Sequence, residues 1–354
     1  MYPDELLQSY RLKTDILADE VVAKIFTNNE ASQVREVMQT LVFNDTKIDE
    51  TNLSPYLVRY FKETEILPIW ADKKLQLKAV SFFEQNIENI MTLLGVYSLP
   101  YCYAAADGAR VLQLSKRITE QTRKRLAETA QFVLEVMHPN AFSAQGKAIR
   151  SIQKVRLMHA VVRYQILNGG KWDLAWGKPI NQEDMAGTNL AFSFIILQGL
   201  RKIGTSVNFE EAQAFLHHWA IVGYMLGLED KLLVFHEHDA NILCNMIAKR
   251  NFKPSPQGTA LATALLDSFK TTFPFNLLRG LAATYIRYLV GDEYSNMLEI
   301  PQSDWTSNFI SVLKVRNTYR SINPFSKEEV AKNVQNFTKM VLELSEETKF
   351  IYNH

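Results

Sequence analysis

The chain has 354 residues, of which 47% are hydrophobic, and its formal net charge is +1 at pH 7. This length and composition are sufficient for one large domain with a buried core, or for two ordinary domains. Because the net charge is close to zero, no binding driven by the field of a polyanion is indicated, and nucleic acid is not expected as a partner.

The first residues and the cysteines bear on the compartment. The opening stretch MYPDELLQSYRLKTD lacks the charged-then-apolar pattern of a secretory signal. Cys102 and Cys244 lie far apart and lack metal-type spacing, which fits a reducing compartment. The longest apolar run, LAFSFIILQGL at 190–200, is shorter than the roughly 20 residues of a membrane span. We therefore expect a soluble cytoplasmic protein without a transmembrane segment.

Helical periodicity runs through most of the chain, with little of the two-residue alternation that marks strands. Three long amphipathic segments are predicted as helices: 115–137, 208–227 and 324–344. The last two begin with Asn208 and Ser326, each followed three residues later by a glutamate, which is the spacing of a capping box. We predict one all-α domain over residues 1–354, in which residues 1–75 form a more loosely attached helical arm.

A polar cluster interrupts the apolar stripe of the first of these segments. Ile118, Leu126, Val133 and Val136 form the stripe, and Thr122, Arg125 and Thr129 fall within it. A guanidinium that faces a core must be paired, because an uncompensated buried charge costs several kcal/mol. One interpretation is that Arg125 pairs with a buried carboxylate while Thr129 bonds to the backbone of its own helix.

The next segment, KVRLMHAVVRYQIL at 154–167, places His159 in the middle of an apolar helix face, together with Ile152, Val155, Val162 and Ile166. Arg156 and Arg163 project close to the same side. Nearby cations favour the neutral imidazole that can bind a metal, and the guanidiniums require anions. Haem offers an iron for the imidazole, an apolar macrocycle for the valines and two propionates for the guanidiniums. The alternative is a hydrogen-bonded core histidine beside arginines that pair with protein carboxylates.

A rival metal site is conceivable at two other histidine clusters. Their members are His217, His218, His236, Glu237, His238 and Asp239. Their spacing matches no strong metal motif, and neighbouring residues on a helix point about 100° apart. We interpret both clusters as structural or solvated. No glycine-rich phosphate loop, GxSxG elbow or HExxH motif is present, so nucleotide, hydrolase and zinc-protease functions have no support.

At KVRLMHAVVRYQI the sequence resembles the latex clearing protein and mycophenolic-acid oxygenase (MpaB-like) family. The resemblance continues through GKPINQEDMAGTNLAFSFIILQGLRKIG and HHWAIVGYMLGLEDKLL, and upstream it includes TRKRLAETA, so that it covers roughly residues 100–235. It implies an all-α fold with globin-like helix packing around a buried haem b pocket. It also implies an oxygenase that uses O₂ on a hydrophobic small molecule, of alkene or isoprenoid type.

By this resemblance, His159 corresponds to the proximal iron ligand, and Arg125 and Thr129 to residues on the distal side. Arg156 and Arg163 would face the haem carboxylates. Two positions depart from the rubber-cleaving members: their lysine before the distal threonine is Glu128 here, and their upstream catalytic glutamate has no clear counterpart, Asp107 being the nearest carboxylate. Glu128 or Asp107 is the candidate general base. These departures, and the missing export signal, argue against rubber cleavage as the native reaction.

Two other functions remain compatible with the same residues. A haem-binding sensor or carrier would use the distal residues only to control ligand access. A protein that has lost its cofactor would retain only the helical fold of the oxygenases.

Overall fold

A computed structural model describes residues 2–114, 122–272, 277–302 and 306–352, with side chains outside 270–280, 303–309 and 346–352. Ile118 of the predicted apolar stripe lies outside the described residues. The regular secondary structure of these residues is helical, and their β-type pairing is limited to an isolated bridge between Ala105 and Phe252. The prediction of an all-α fold is confirmed for this part of the chain.

Nineteen α-helices lie within the described residues. In chain order they are α1 (Asp4–Arg11), α2 (Ile16–Thr27), α3 (Ala31–Thr40), α4 (Pro55–Glu63), α5 (Lys73–Gln85), α6 (Ile87–Leu93), α7 (Leu99–Tyr103), α8 (Ala106–Leu114), α9 (Thr122–Val136), α10 (Ala148–Asn168), α11 (Gln182–Phe192), α12 (Phe194–Lys202), α13 (Phe209–Met225), α14 (Glu237–Asn251), α15 (Pro256–Thr272), α16 (Leu277–Val290), α17 (Asp292–Met297), α18 (Thr306–Ile322) and α19 (Lys327–Tyr352). A π-helical turn at Leu94–Ser98 joins α6 to α7.

The two predicted capping boxes are confirmed. At the start of α13 the Asn208 side chain accepts from the Glu211 backbone, and the Glu211 side chain accepts from the Asn208 backbone. Ser326 and Glu329 make the same reciprocal pair before α19, at 2.9 and 3.2 Å. Each pair satisfies two backbone donors that have no partner within the helix. After α13 the chain turns at Gly227, whose φ of +86° favours glycine.

The buried side chains form two hydrophobic clusters. The larger one extends through α6, α7 and α11 to α16, and it includes Leu7 and Tyr10 of α1. The smaller one joins α2, α3 and α4 to Leu157 and Ala160 on one face of α10. The first helices of the chain, predicted as a more loosely attached arm over residues 1–75, thus contact α10 through buried side chains. Their partners lie far away in the sequence, where a local hydrophobic pattern gives no information.

The helix α10 is the element that organises the candidate site. It packs against α2 on one side and against α9 and α13 elsewhere. Residues of α10 therefore reach both the smaller cluster and the main body of the protein. Within the described part of the chain, no helix combines the length and apolar character that crossing a membrane requires.

Candidate functional site

His159 lies on α10, in the middle of a largely apolar helix face. Its Nδ1 is buried and has no hydrogen-bond partner among the described residues. Ile152 and Ile166 on the same face are buried, and Val155 and Val162 are half-buried. Burial, assisted by the charge of Arg163, lowers the pKa of His159 to about 4. The imidazole is therefore neutral at neutral pH, which is the form that binds metal ions.

Arg125 of α9 lies within electrostatic range of this histidine. After burial and Arg163, its charge is a further contribution that lowers the pKa of His159. Burial also raises the pKa of Tyr103 on α7, and Arg125 opposes that rise. Thr129, one turn after Arg125, is likewise partly buried. The charge of Arg125 thus acts on His159, although the two residues come from different helices.

The two carboxylates considered as a general base are placed differently. Glu128 is exposed on α9, whereas its neighbours Arg125 and Thr129 are partly buried. Asp107 is buried, and its oxygens are held by Arg11 at 3.2 Å and by Arg110 at 3.4 Å. An exposed carboxylate on the outer side of α9 and one held by two guanidiniums are poorly suited to accept a substrate proton. Neither residue is therefore proposed as the general base.

All three nitrogens of the Arg156 guanidinium have protein partners. Its Nε and Nη2 donate to the two oxygens of Asp15, at 2.5 and 2.8 Å, and its Nη1 donates to the backbone oxygen of Met225 at 3.2 Å. Three of its five N–H groups are used in this way, and its anion is Asp15, at the start of α2. These contacts do not support the predicted pairing of Arg156 with a haem carboxylate.

Arg163 is engaged only in part. Its Nε donates to Asp19 at 2.6 Å and its Nη1 to the backbone oxygen of Ile180 at 3.4 Å. Its Nη2 is buried without a hydrogen-bond partner among the described residues. The charge of Arg163 also acts on His159, where it contributes to the lowered pKa. The predicted pairing with a haem carboxylate stays open for Arg163.

The carboxylate partners of Arg156 and Arg163 were not predicted from the sequence. Asp15 and Asp19 lie one turn apart on α2, more than a hundred residues before α10, and Asp15 also caps α2 by accepting from the backbone of Ala18. Two carboxylates at this spacing on one helix face were a usable signal for a pair of basic partners. The two ion pairs attach α2 to α10 on either side of His159 in the sequence.

Most of the motif PINQEDMAGT contributes to a buried polar network, and only the backbone of Ile180 contacts Arg163 of the histidine site. Arg11 of α1 donates to Glu183, Asp184, Asp107, Asn251 and the backbone of Trp176, at 2.6 to 3.4 Å. Arg250 pairs with the second oxygen of Glu183 at 2.7 Å. Burial raises the pKa of Asp184 to about 6, against the opposing charge of Arg11. These contacts fix α1, α8, α11 and α14 to one another.

The rival histidine clusters have protein partners. The Nε2 of His217 accepts from the backbone N–H of Asp72 at 3.0 Å. The Nε2 of His218 lies 2.9 Å from the backbone oxygen of Val136, and burial lowers the pKa of His218 to about 4. His236 and His238 are exposed, and the His236 ring bonds to Gln213. In the described part of the chain no group of three or more His, Cys, Asp or Glu side chains is arranged to hold a metal ion.

Comparison with solved structures first defines the class of protein. The fold matches that of latex clearing protein in its closed state, with a TM-score of 0.78 over 94% of this chain and 91% of that one, at 22% sequence identity. The protein is thus an all-α member of the same structural class.

The sequence then places the chain in a family. Residues 90–320 match the model described as "ER-bound oxygenase mpaB/B'/Rubber oxygenase, catalytic domain". The chain is also 25% identical over 284 residues to the rubber oxygenase of Streptomyces sp. (strain K30), covering 79% of this chain and 69% of that protein. The chain belongs to this oxygenase family, which confirms the resemblance noted at KVRLMHAVVRYQI, and it is an oxygenase.

Proposed function

We propose that the protein is a haem b-dependent oxygenase that acts on a hydrophobic small molecule of alkene or isoprenoid type. His159 would be the axial ligand of the iron, and Arg125 and Thr129 would act on the side where O₂ is used. The observation that carries the proposal is the His159 imidazole, which is neutral at neutral pH and whose buried Nδ1 has no hydrogen-bond partner among the described residues.

The residues around His159 fit a haem group. An imidazole with an unsatisfied nitrogen suits an iron ligand, and Val155 and Val162 offer half-buried apolar surface to a macrocycle. The Nη2 of Arg163, which has no hydrogen-bond partner in the described part of the chain, suits one cofactor carboxylate. Buried polar atoms without partners are rare in folded proteins, so two of them on neighbouring side chains support a ligand at this place.

Haem would supply the redox-active iron that activates O₂. The pairs Asp15–Arg156 and Asp19–Arg163 hold α10, the helix that carries His159, against α2. Arg125 and Thr129 lie one turn apart, so that a guanidinium and a hydroxyl can donate to one small oxygen species that gains negative charge. The rubber oxygenase and latex clearing protein relatives support a hydrophobic substrate.

Haem titration tests the histidine assignment. The purified apo protein should develop a Soret band with one equivalent of haemin, and His159→Ala should not. His218→Gln is the matched control, because His218 is also a buried, neutral histidine but bonds to Val136. A full Soret band in His159→Ala would show that the axial ligand lies elsewhere.

Oxygen uptake separates the oxygenase from a haem sensor or carrier of the same fold. The haem-loaded protein should consume O₂ on addition of alkene or polyprenyl compounds. A carrier would bind haem equally well and consume none.

A further inference from the structure

The helix α18 carries an apolar stripe that faces solvent. Val312, Val315, Tyr319 and Ile322 are 71%, 71%, 61% and 74% exposed. They recur at intervals of three, four and three residues, so they lie in one line along the helix. Single exposed apolar residues are ordinary, but four in a line on one helix indicate a surface that binds something. We refer to these four residues as the α18 stripe.

The opposite side of α18 is anchored to the protein. Ile310 and Asn317 are buried, and the Asn317 side chain donates to the backbone oxygen of Ile203 at 2.9 Å. Thr318 donates to the backbone oxygen of Gly204 at 3.3 Å. Because these contacts fix the rotation of the helix, the stripe cannot turn inward to join the core.

The charges of α18 are all positive. The helix contains Lys314, Arg316 and Arg320 and no acidic residue. Glu88 pairs with Arg316 at 3.0 Å, whereas Lys314 and Arg320 rest on the rings of Tyr288 and Phe325, at 5.2 and 4.2 Å. Among the described residues, neither Lys314 nor Arg320 has an acidic partner within ion-pair distance. Two cations thus remain uncompensated beside the apolar stripe.

A second copy of the chain fits this surface poorly. A stable interface between proteins buries roughly 800 Å² and 20–30 residues on each partner, far more than four side chains supply. Pairing two α18 helices would also bring like charges together, without a carboxylate on either helix to offset them. By contrast, an apolar stripe flanked by cations has the composition of a helix that lies in a membrane interface and contacts anionic headgroups.

We propose that the α18 stripe docks the protein on anionic lipid surfaces. The four apolar side chains would insert at the boundary between headgroups and acyl chains, and Lys314 and Arg320 would lie at the level of the lipid phosphates. The helix would lie in the plane of the surface without crossing it. This docking does not depend on the haem site, and it would bring the protein to the phase in which hydrophobic compounds accumulate.

Vesicle flotation tests the docking with the full chain. The wild-type protein should float with vesicles of phosphatidylcholine mixed with phosphatidylglycerol, and much less with phosphatidylcholine alone. Val315→Ser/Tyr319→Ser should lower the partition coefficient at least about tenfold, since it removes apolar surface. Lys314→Gln/Arg320→Gln should lower it about fivefold per charge, and added salt should abolish the difference from wild type.

A matched control keeps the result specific. Ile66→Ser/Ile69→Ser removes two apolar residues that are 69% and 104% exposed and lie outside α18, and it should float like the wild type. Circular dichroism melts identify the variants that remain folded. The proposal is overturned if the wild type floats with neither vesicle, or if the control loses binding as the stripe variant does. A wild-type dimer in sedimentation that the stripe variant dissociates would also overturn it, since a second copy would then cover the stripe.

Discussion

The ion pair between Asp15 and Arg156 should stabilise the fold and leave haem binding unaffected. Asp15→Asn removes the negative charge but keeps an oxygen that can accept from the backbone of Ala18 at the start of α2. The two side chains are only 4% and 12% exposed, so the remaining guanidinium would lie in a nearly dry site. Removing one partner of a buried pair costs about 3–5 kcal/mol. Because Arg156 retains Met225 and some solvent contact, we expect about 2–3 kcal/mol.

Urea unfolding followed by circular dichroism measures this loss for Asp15→Asn, for Arg156→Met and for the double variant. The double variant should cost less than the sum of the single ones by about 1–3 kcal/mol, since each single variant strands the partner. Haem affinity of the folded fraction should stay at the wild-type value. The reasoning fails if Arg156→Met lowers haem affinity while Asp15→Asn leaves the free energy of unfolding unchanged.

Three further outcomes are expected from the site. Burial lowers the pKa of His159 and of His218 to about 4 in the folded apo protein. The unfolded chain therefore binds a proton at each of these histidines more readily than the folded protein does. The free energy of unfolding should therefore be highest above about pH 6.5 and should fall towards pH 4, by up to about 1.4 kcal/mol per pH unit for each histidine. In melts recorded at several pH values, His218→Gln should make this fall less steep. Arg125→Ala should raise the pKa of His159 in an NMR titration of the apo protein and lower O₂ uptake at retained haem content, with a milder loss of uptake in Thr129→Val. Glu128→Gln should leave O₂ uptake unchanged, because the Glu128 side chain is exposed. A loss of O₂ uptake in this variant would support Glu128 as the general base.

Features set by short stretches of sequence were predictable. The starts of α13 and α19 follow from Asn208 and Ser326 with their glutamates, because a capping box needs only four consecutive residues. Helical periodicity likewise placed Arg125 and His159 on inward-facing sides of α9 and α10. Both positions are partly buried in the structure, and the charge of Arg125 acts on His159.

Features that depend on distant partners were not predictable in the same way. The pattern of α10 showed that Arg156 and Arg163 need anions, but it could not distinguish Asp15 and Asp19 from a cofactor. A helical wheel gives the direction of a side chain and not what it meets. The contacts of the first helix could not be predicted for the same reason, since Arg11 finds its partners on α8, α11 and α14.

The most direct test of the account is chemical rescue of the proposed iron ligand. His159→Gly, loaded with haem in the presence of imidazole, should recover the wild-type Soret band, because the free imidazole occupies the space of the lost side chain. Without imidazole the same variant should bind haem weakly or not at all. The assignment of His159 as the ligand would be contradicted if His159→Gly showed the wild-type spectrum without imidazole. It would also be contradicted if the addition of imidazole did not change the spectrum of the variant.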